Sequence, residues 1–171
     1  LIHSGAGGVG IAAVQLAQYL QAEVCSGFNL IPPSFTNTKP QIYVTVGSDE
    51  KRSFLQEHLN IPASRIFSSR TTEFADAIIA STKGRGVDVI LNSLTGELLD
   101  ETWRICADGG ILVDIGRGLR GRRLAPGPFE RNCLVKAFDL TSKQVSDDIV
   151  RRFVALSGHL KYSRKILTLL I

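Results

Sequence analysis

Apolar and polar positions along the chain switch between two periods. Residues Val9, Ala12, Ala13, Leu16, Ala17 and Leu20 recur at helical spacing, which predicts a helix over 9–20. Before it, Leu1-Ile2-His3 has the composition of a strand end, and the β-branched and aromatic run 42–46 predicts a buried strand. Ser48 is placed to cap a helix carrying Phe54 and Leu55, Ile66-Phe67 predicts a short strand, and Thr71 or Thr72 opens a helix with Phe74, Ala77, Ile78 and Ile79. The rhythm then repeats: strand 87–91, helix 96–105, strand 111–115 after a Gly109-Gly110 turn, and strand 135–138. A last amphipathic helix is predicted over 147–156, with Ile149, Phe153 and Leu156 on one face. Strands that alternate with helices predict an α/β fold: a doubly wound, mainly parallel Rossmann sheet with helices on both faces.

The first strand-to-helix turn carries the strongest chemical signal. It reads Gly5-Ala6-Gly7-Gly8-Val9-Gly10, a G-x-G-x-x-G between a strand and a helix. Gly5 is expected to allow the tight turn, Gly7 to let backbone approach a pyrophosphate, and Gly10 to let helix and strand pack closely. Gly8 and Val9 open the helix, whose N–H groups and positive dipole end suit an anion. The competing reading is a glycine-rich turn chosen for packing alone. Nicotinamide dinucleotides differ at the ribose 2′ position, and there the second strand ends without the acid that would hold a free hydroxyl. Instead it runs Thr45-Val46-Gly47-Ser48, followed by Asp49, Glu50, Lys51 and Arg52. Ser48, Lys51 and Arg52 together suit a 2′-phosphate, so NADPH is the expected cofactor. Asp49 dissents, unless it serves the dipole of the next helix.

Composition narrows the alternatives. A chain of 171 residues with 44% apolar and 21% charged positions fits one globular domain. The net charge of +4 is mild, and the cluster Arg117, Arg120, Arg122 and Arg123 lacks interleaved aromatics. A phosphate-bearing ligand accounts for that excess more simply than nucleic acid does. Cys25, Cys106 and Cys133 show neither disulfide nor zinc-site spacing, and His3, His58 and His159 stand isolated, so no metal is expected. With no signal peptide or membrane span in view, and thiols suited to a reducing compartment, the expected location is the cytoplasm.

Several segments in order resemble one family. The run from His3 through Ala17, the run Tyr43-Val44-Thr45-Val46-Gly47-Ser48-Asp49-Glu50-Lys51-Arg52, residues 84–97, Asp114-Ile115-Gly116, and Pro128-Phe129-Glu130-Arg131-Asn132 leading to Phe138-Asp139-Leu140 carry the likeness. They resemble zinc-independent, quinone-oxidoreductase-like medium-chain reductases, above all the enoyl reductase domains of fungal reducing polyketide synthases. The resemblance implies NADPH-dependent reduction of an α,β-unsaturated thioester borne by an acyl carrier protein or a coenzyme-A-like carrier. Hydride passes to the β carbon, and the resulting enolate is protonated at the α carbon. Catalysis of this kind rests on positioning and on stabilising enolate charge. By resemblance, Ser48 and Lys51 meet the 2′-phosphate, and Asn92, Ser93, Leu94 and Gly116 lie along the cofactor's path past the sheet edge. Asn92 and Ser93 have a plainer reading as the end of a strand and the start of a turn.

Three departures qualify the resemblance. The family's lysine after the fifth-strand Ile-Gly is here Arg117, a group that holds anions but is a poor proton donor. Arg117 with Asp139 is therefore the candidate catalytic pair, with water as an alternative proton source and an ordinary surface ion pair as the bland reading. Residues 24–41 interrupt the pattern: joining Glu23 to Ile42 restores it and puts Ser48 about 20 residues after Gly10. That stretch is either a translated, unspliced intron or a surface loop. The third departure is extent. The chain begins inside the fold and reads as a fragment: a Rossmann domain over 1–160, a poorly matched tail over 161–171, and no substrate lobe ahead of it. The expected partners are that lobe, other synthase domains and the enoyl thioester, and a second copy of the chain is a further expected assembly. The alternative reading is a truncated, inactive nucleotide-binding fragment that serves as a packing or regulatory module.

Overall fold

The computed structural model describes residues 1–26 and 41–139, with Asp147 and Arg151. Among these residues the strands are β1 (Val44–Val46), β2 (Ile66–Ser68), β3 (Val87–Asn92), β4 (Cys106–Asp114) and β5 (Leu134–Ala137). The helices are α1 (Gly8–Ser26), α2 (Asp49–Leu59), α3 (Glu73–Ser81), α4 (Glu97–Arg104) and α5 (Gly127–Glu130). β1 pairs with β2, and β3 with β4 and then β5, every pair parallel. Ile2 forms parallel bridges to both Val44 and Leu91 and so joins the two sets. The lateral order is β2, β1, the opening segment, β3, β4, β5. From that centre the chain winds outward in one direction and then in the other, which is the doubly wound Rossmann arrangement.

Alternation along the central strands sends side chains to two separate cores. Leu1, Tyr43, Ile90 and Leu112 pack with Phe74 and Ile78 of α3 and with Leu99 and Trp103 of α4. Ile2, Val44, Val46 and Ile66 pack with Val14 of α1 and with Leu55 and Leu59 of α2. Each face of the sheet therefore has its own helices, as the alternating pattern predicts. Ser48 is the N-cap of α2, its Oγ accepting from the Lys51 N–H at 3.4 Å, and Thr72 occupies the N-cap position of α3.

Some boundaries differ from expectation for identifiable reasons. α1 runs on to Ser26, three residues into the interrupting stretch; residues 27–40 of that stretch lie outside the described residues. β4 begins at Cys106 rather than 111, because the glycine pair does not end the strand. Gly109 takes φ +71° where the β3–β4 register shifts, and Gly110 has no room for a side chain: a methyl there would meet the Ala107 carbonyl oxygen at 2.8 Å. The sequence pattern also gave no sign of α5, whose Phe129 ring lies 4.9 Å from buried Trp103. Of the helix expected over 147–156 only Asp147 and Arg151 are described, and both are helical; the 161–171 tail is outside the described residues.

His3 ties the central segment to its neighbours. It is buried, with Nδ1 2.9 Å from Thr45 Oγ1 on β1 and Nε2 2.9 Å from Thr102 Oγ1 on α4. Thr102 already donates its hydroxyl hydrogen to the Leu98 carbonyl at 2.6 Å. It must therefore accept from His3, which assigns the imidazole as the neutral Nε2–H form with Thr45 donating to Nδ1. Burial, with the nearby terminal amine adding, pushes the His3 pKa down from 6.5 to about 3. Between those values the unfolded chain binds a proton that the folded chain refuses. The neutral histidine's contribution is thus complete above 6.5 and is lost as the pH falls toward 3, at about 1.4 kcal/mol per unit. Urea unfolding midpoints should fall steeply across that window, and His3→Asn should remove a large part of the slope. Identical slopes in the two proteins would mean that His3 does not govern it.

Candidate functional site

The glycine loop follows the central segment without a spacer, so its shape is dictated by the strands on either side. The Gly5 N–H donates to the Thr45 carbonyl at 3.0 Å, and the Gly7 N–H to the Ser4 carbonyl at 2.9 Å. The left-handed residue of the turn is Ser4, at φ 54°, and not Gly5. Gly5 is required for a different reason than expected. A methyl there would stand 1.9 Å from Val44 Cγ1, so it is the approach to β1 that excludes a side chain. Gly10 fits its expected role, since a methyl on it would meet Ser4 O at 2.4 Å and Gly5 Cα at 2.6 Å. Gly7, Gly8 and Val9 are exposed at the rim, and a methyl on Gly8 would point into open space. α1 has no acidic residue in its first turn, whereas α2, α3 and α4 each have two. Its unshared N–H groups and positive end thus face outward without a built-in counter-charge.

Across the central crevice lies the loop that leaves β3. Ser4 and Ser93 bring their hydroxyl oxygens to 2.9 Å and join the two loops at the carboxyl ends of adjacent strands. Asn92 is fully buried and does not line the crevice. Its Nδ2 donates to Leu94 O at 3.0 Å and to Asp114 Oδ1 at 2.8 Å, and its Oδ1 accepts from the Leu94 N–H at 3.1 Å. Gly116 stacks on the backbone of Ser93, leaving 3.3 Å between a methyl there and the Ser93 carbonyl oxygen, and the corresponding distance from Gly118 to Leu94 O is 2.5 Å. Ser93, Leu94 and Gly116 therefore form one wall of the crevice and the glycine loop the other.

At the end of β1 the charged candidates separate. Ser48 and Lys51 are both exposed, and Ser48 Oγ, while accepting from Lys51 N–H, keeps its own hydrogen to donate. Arg52 turns away: Nη1 donates to the Ile66 carbonyl at 2.6 Å and Nε stands 4.0 Å from Asp49. Its place beside Ser48 is not available to a 2′-phosphate, and the sequence reading of Arg52 is corrected accordingly. Arg70 is the residue that reading missed. A methyl on Gly47 would lie 3.5 Å from Ser69 Oγ and 3.8 Å from Arg70 Nε, which places the Arg70 guanidinium beside the end of β1. The signal for it was the sheet order, which sets the residues after β2 next to those after β1. Asp49 and Glu50 occupy the first turn of α2, where acids suit the helix dipole.

The second half of the site differs from expectation as well. Asp139 forms its ion pair with Arg120, and Arg117 is exposed and takes part in none of the salt bridges among the described residues. The expected pairing of Arg117 with Asp139 is replaced by this one. Arg122 pairs with Asp100 of α4 at 2.5 Å, so two arginines pin the loop after β4 while exposed ion pairs of this kind add little stability.

This crevice, at the carboxyl ends of a parallel sheet and at the point where its winding reverses, is where such folds bind ligands. Residues 61–161 match the family model described as zinc-binding dehydrogenase. The nucleotide-binding subdomain of the enoylreductase domain of PpsC from Mycobacterium tuberculosis is 30% identical, with a TM-score of 0.72 over 94% of this chain and 79% of that one. The chain belongs to the polyketide synthase enoyl reductase family. The low-reducing polyketide synthase drtA of Aspergillus calidoustus is 87% identical over 88% of this chain. The highly reducing polyketide synthase claI of Penicillium crustosum is 45% identical over 86% of it. The chain spans about 6% of the length of either synthase.

The zinc in the family description finds no donor set among the described residues. Among the described residues no three His, Cys, Asp or Glu side chains are grouped to hold a metal ion. Both nitrogens of His3 are taken by threonines, and burial pushes the Cys106 thiol up to about 12, with a hydrogen bond to Cys133 adding. These residues do not fit a zinc centre. A dinucleotide fits better, since Gly5 and Gly10 leave no space for side chains in the loop while its rim stays open. Gly10→Ala should lower the free energy of unfolding by about 1–3 kcal/mol through backbone displacement. Gly8→Ala, at an open helix start, should be neutral or stabilising by up to about 1 kcal/mol. Urea denaturation of the two variants checks this, and equal effects would contradict the packing assigned to Gly10.

Proposed function

We propose that this chain is the cofactor-binding portion of an NADPH-dependent enoyl reductase acting on an α,β-unsaturated acyl thioester in polyketide synthesis. The observation that carries the reading is the glycine loop, closed to side chains at Gly5 and Gly10, exposed at Gly7 and Gly8, and leading into a helix start with no acid. A pyrophosphate placed there meets backbone N–H groups. The adenosine end then reaches the end of β1, where Ser48, Lys51 and Arg70 present a hydroxyl and two cations to a 2′-phosphate. The other end passes along Ser93, Leu94 and Gly116. When bound, the cofactor supplies hydride to the substrate's β carbon. Arg117 holds an anionic oxygen at the crevice mouth, and the α-carbon proton is drawn from water, since a guanidinium does not give up its own. Asp139, bound to Arg120, helps fix the arginine-rich loop. The acyl chain and its carrier sit against a substrate lobe outside this segment, which completes the exclusion of water.

Titration of the purified chain with NADPH and NADH, followed by nicotinamide fluorescence, tests this reading. NADPH should bind more tightly, and Lys51→Ala and Arg70→Ala should each weaken NADPH by about tenfold while leaving NADH within about twofold. Absence of NADPH binding by a folded chain would overturn the proposal and leave the family assignment as ancestry alone.

A further inference from the structure

Asn92 and Asp114 are register partners at the ends of β3 and β4, and both are buried. An amide and an acid that end two apolar strands, sealed from solvent, call for an account beyond packing. The amide of Asn92 is fully used. One Nδ2 hydrogen goes to Asp114 Oδ1, the other to Leu94 O, and Oδ1 takes the Leu94 N–H. The same Asp114 Oδ1 also accepts from the Gly116 N–H at 3.3 Å. A single carboxylate oxygen thus links the loop after β3 to the loop after β4. Those two loops are the crevice wall opposite the glycine loop, and Ser93 between them is held in turn by Ser4.

We propose that Asn92 and Asp114 are a positioning pair for the cofactor site, fixing Leu94 and Gly116 so that affinity depends on residues that never touch the ligand. This rests on the NADPH reading above and extends it to a residue, Asp114, outside the contact set. The chemistry of the pair is directional. Only a side chain with two donors and an acceptor can clamp both polar groups of Leu94 and reach Asp114, so Asn92→Asp removes both donors and sets two carboxylates together. At position 114 the requirement is one acceptor oxygen, which asparagine supplies and leucine does not.

Asp114→Leu, Asp114→Asn and Asn92→Asp, each in the full chain, separate positioning from mere stability. Amide hydrogen exchange reports the clamp without ligand. In Asp114→Leu the Gly116 amide loses its acceptor and should exchange about tenfold faster or more, and in Asn92→Asp repulsion between the two carboxylates should do the same at Leu94 and Gly116, with the β1–β2 amides still protected. In Asp114→Asn the Leu94 and Gly116 amides should stay protected. NADPH affinity should fall by about tenfold or more in the first two variants and stay within about threefold in the third. If Asp114→Leu does not fold, the contrast of Asn92→Asp with Asp114→Asn carries the test. Unchanged protection at Leu94 and Gly116, or unchanged affinity, in folded Asp114→Leu or Asn92→Asp would overturn the proposal. A wild-type chain that bound no dinucleotide would instead bring down the NADPH reading, and the exchange data would still decide whether the clamp exists.

Discussion

Everything in this fold hangs on the three residues at the start of the chain, because they are the seam between two groups of strands. The Ile2 N–H donates to Tyr43 O at 2.9 Å, and Thr45 N–H returns to Ile2 O at 3.1 Å on one side. On the other, His3 N–H donates to Leu91 O at 3.0 Å, and Leu91 N–H to Leu1 O at 2.9 Å. Buried backbone groups must be paired, so removing this segment would orphan the inner edges of β1 and β3 together. His3 adds side-chain bonds in the same place, reaching β1 through Thr45 and α4 through Thr102. The sheet is thus closed at its centre by a piece of chain that has the glycine loop as its next residue. The loop inherits its position from backbone that is hydrogen-bonded on both sides.

That inheritance explains why the glycines matter where they do. The chain leaves the centre of the sheet, turns at Ser4 and must pass directly against Val44 before α1 begins. Gly5 and Gly10 are spent on that passage, and Gly7 and Gly8 are left exposed at the surface, where α1 begins. Packing and binding are often offered as rival explanations of a glycine-rich turn. Here they divide the motif between them: Gly5 and Gly10 are fixed by contacts within the fold, Gly7 has a backbone oxygen 3.2 Å from where a methyl would stand, and Gly8 has no packing to justify it.

Much of this was legible in the sequence because its causes are local. Alternating strand and helix periods, the Ser48 cap and the G-x-G-x-x-G between a strand and a helix each depend on neighbours a few residues away. What escaped depends on register and on which face a helix turns inward. The Gly109-Gly110 pair carries turn composition, yet Gly109 absorbs a register shift inside a strand and Gly110 makes room for the Ala107 carbonyl. Arg52 sits one residue from Lys51, but only the docked helix shows that it faces the Ile66 carbonyl. Arg70 belongs to the candidate phosphate pocket because β2 lies beside β1, a fact about sheet order. Asp139 looks free to meet Arg117 until the loop after β4 brings Arg120 to it.

The same distinction orders the site itself. Backbone fixes the glycine loop, and side chains fix the wall opposite. Steric exclusion by Val44 at Gly5 and by the Ser4 and Gly5 backbone at Gly10 does not depend on pH or salt, so that half of the crevice is fixed by packing. The other half depends on hydrogen bonds from Asn92 to Asp114 and Leu94, and on the hydroxyl contact between Ser4 and Ser93. A bond to a charged acceptor in a buried setting is worth about 1.5–3 kcal/mol, enough to hold a loop but small enough to be altered by one substitution. The glycine loop is tied to the fold, and the wall opposite is set by a few replaceable side chains.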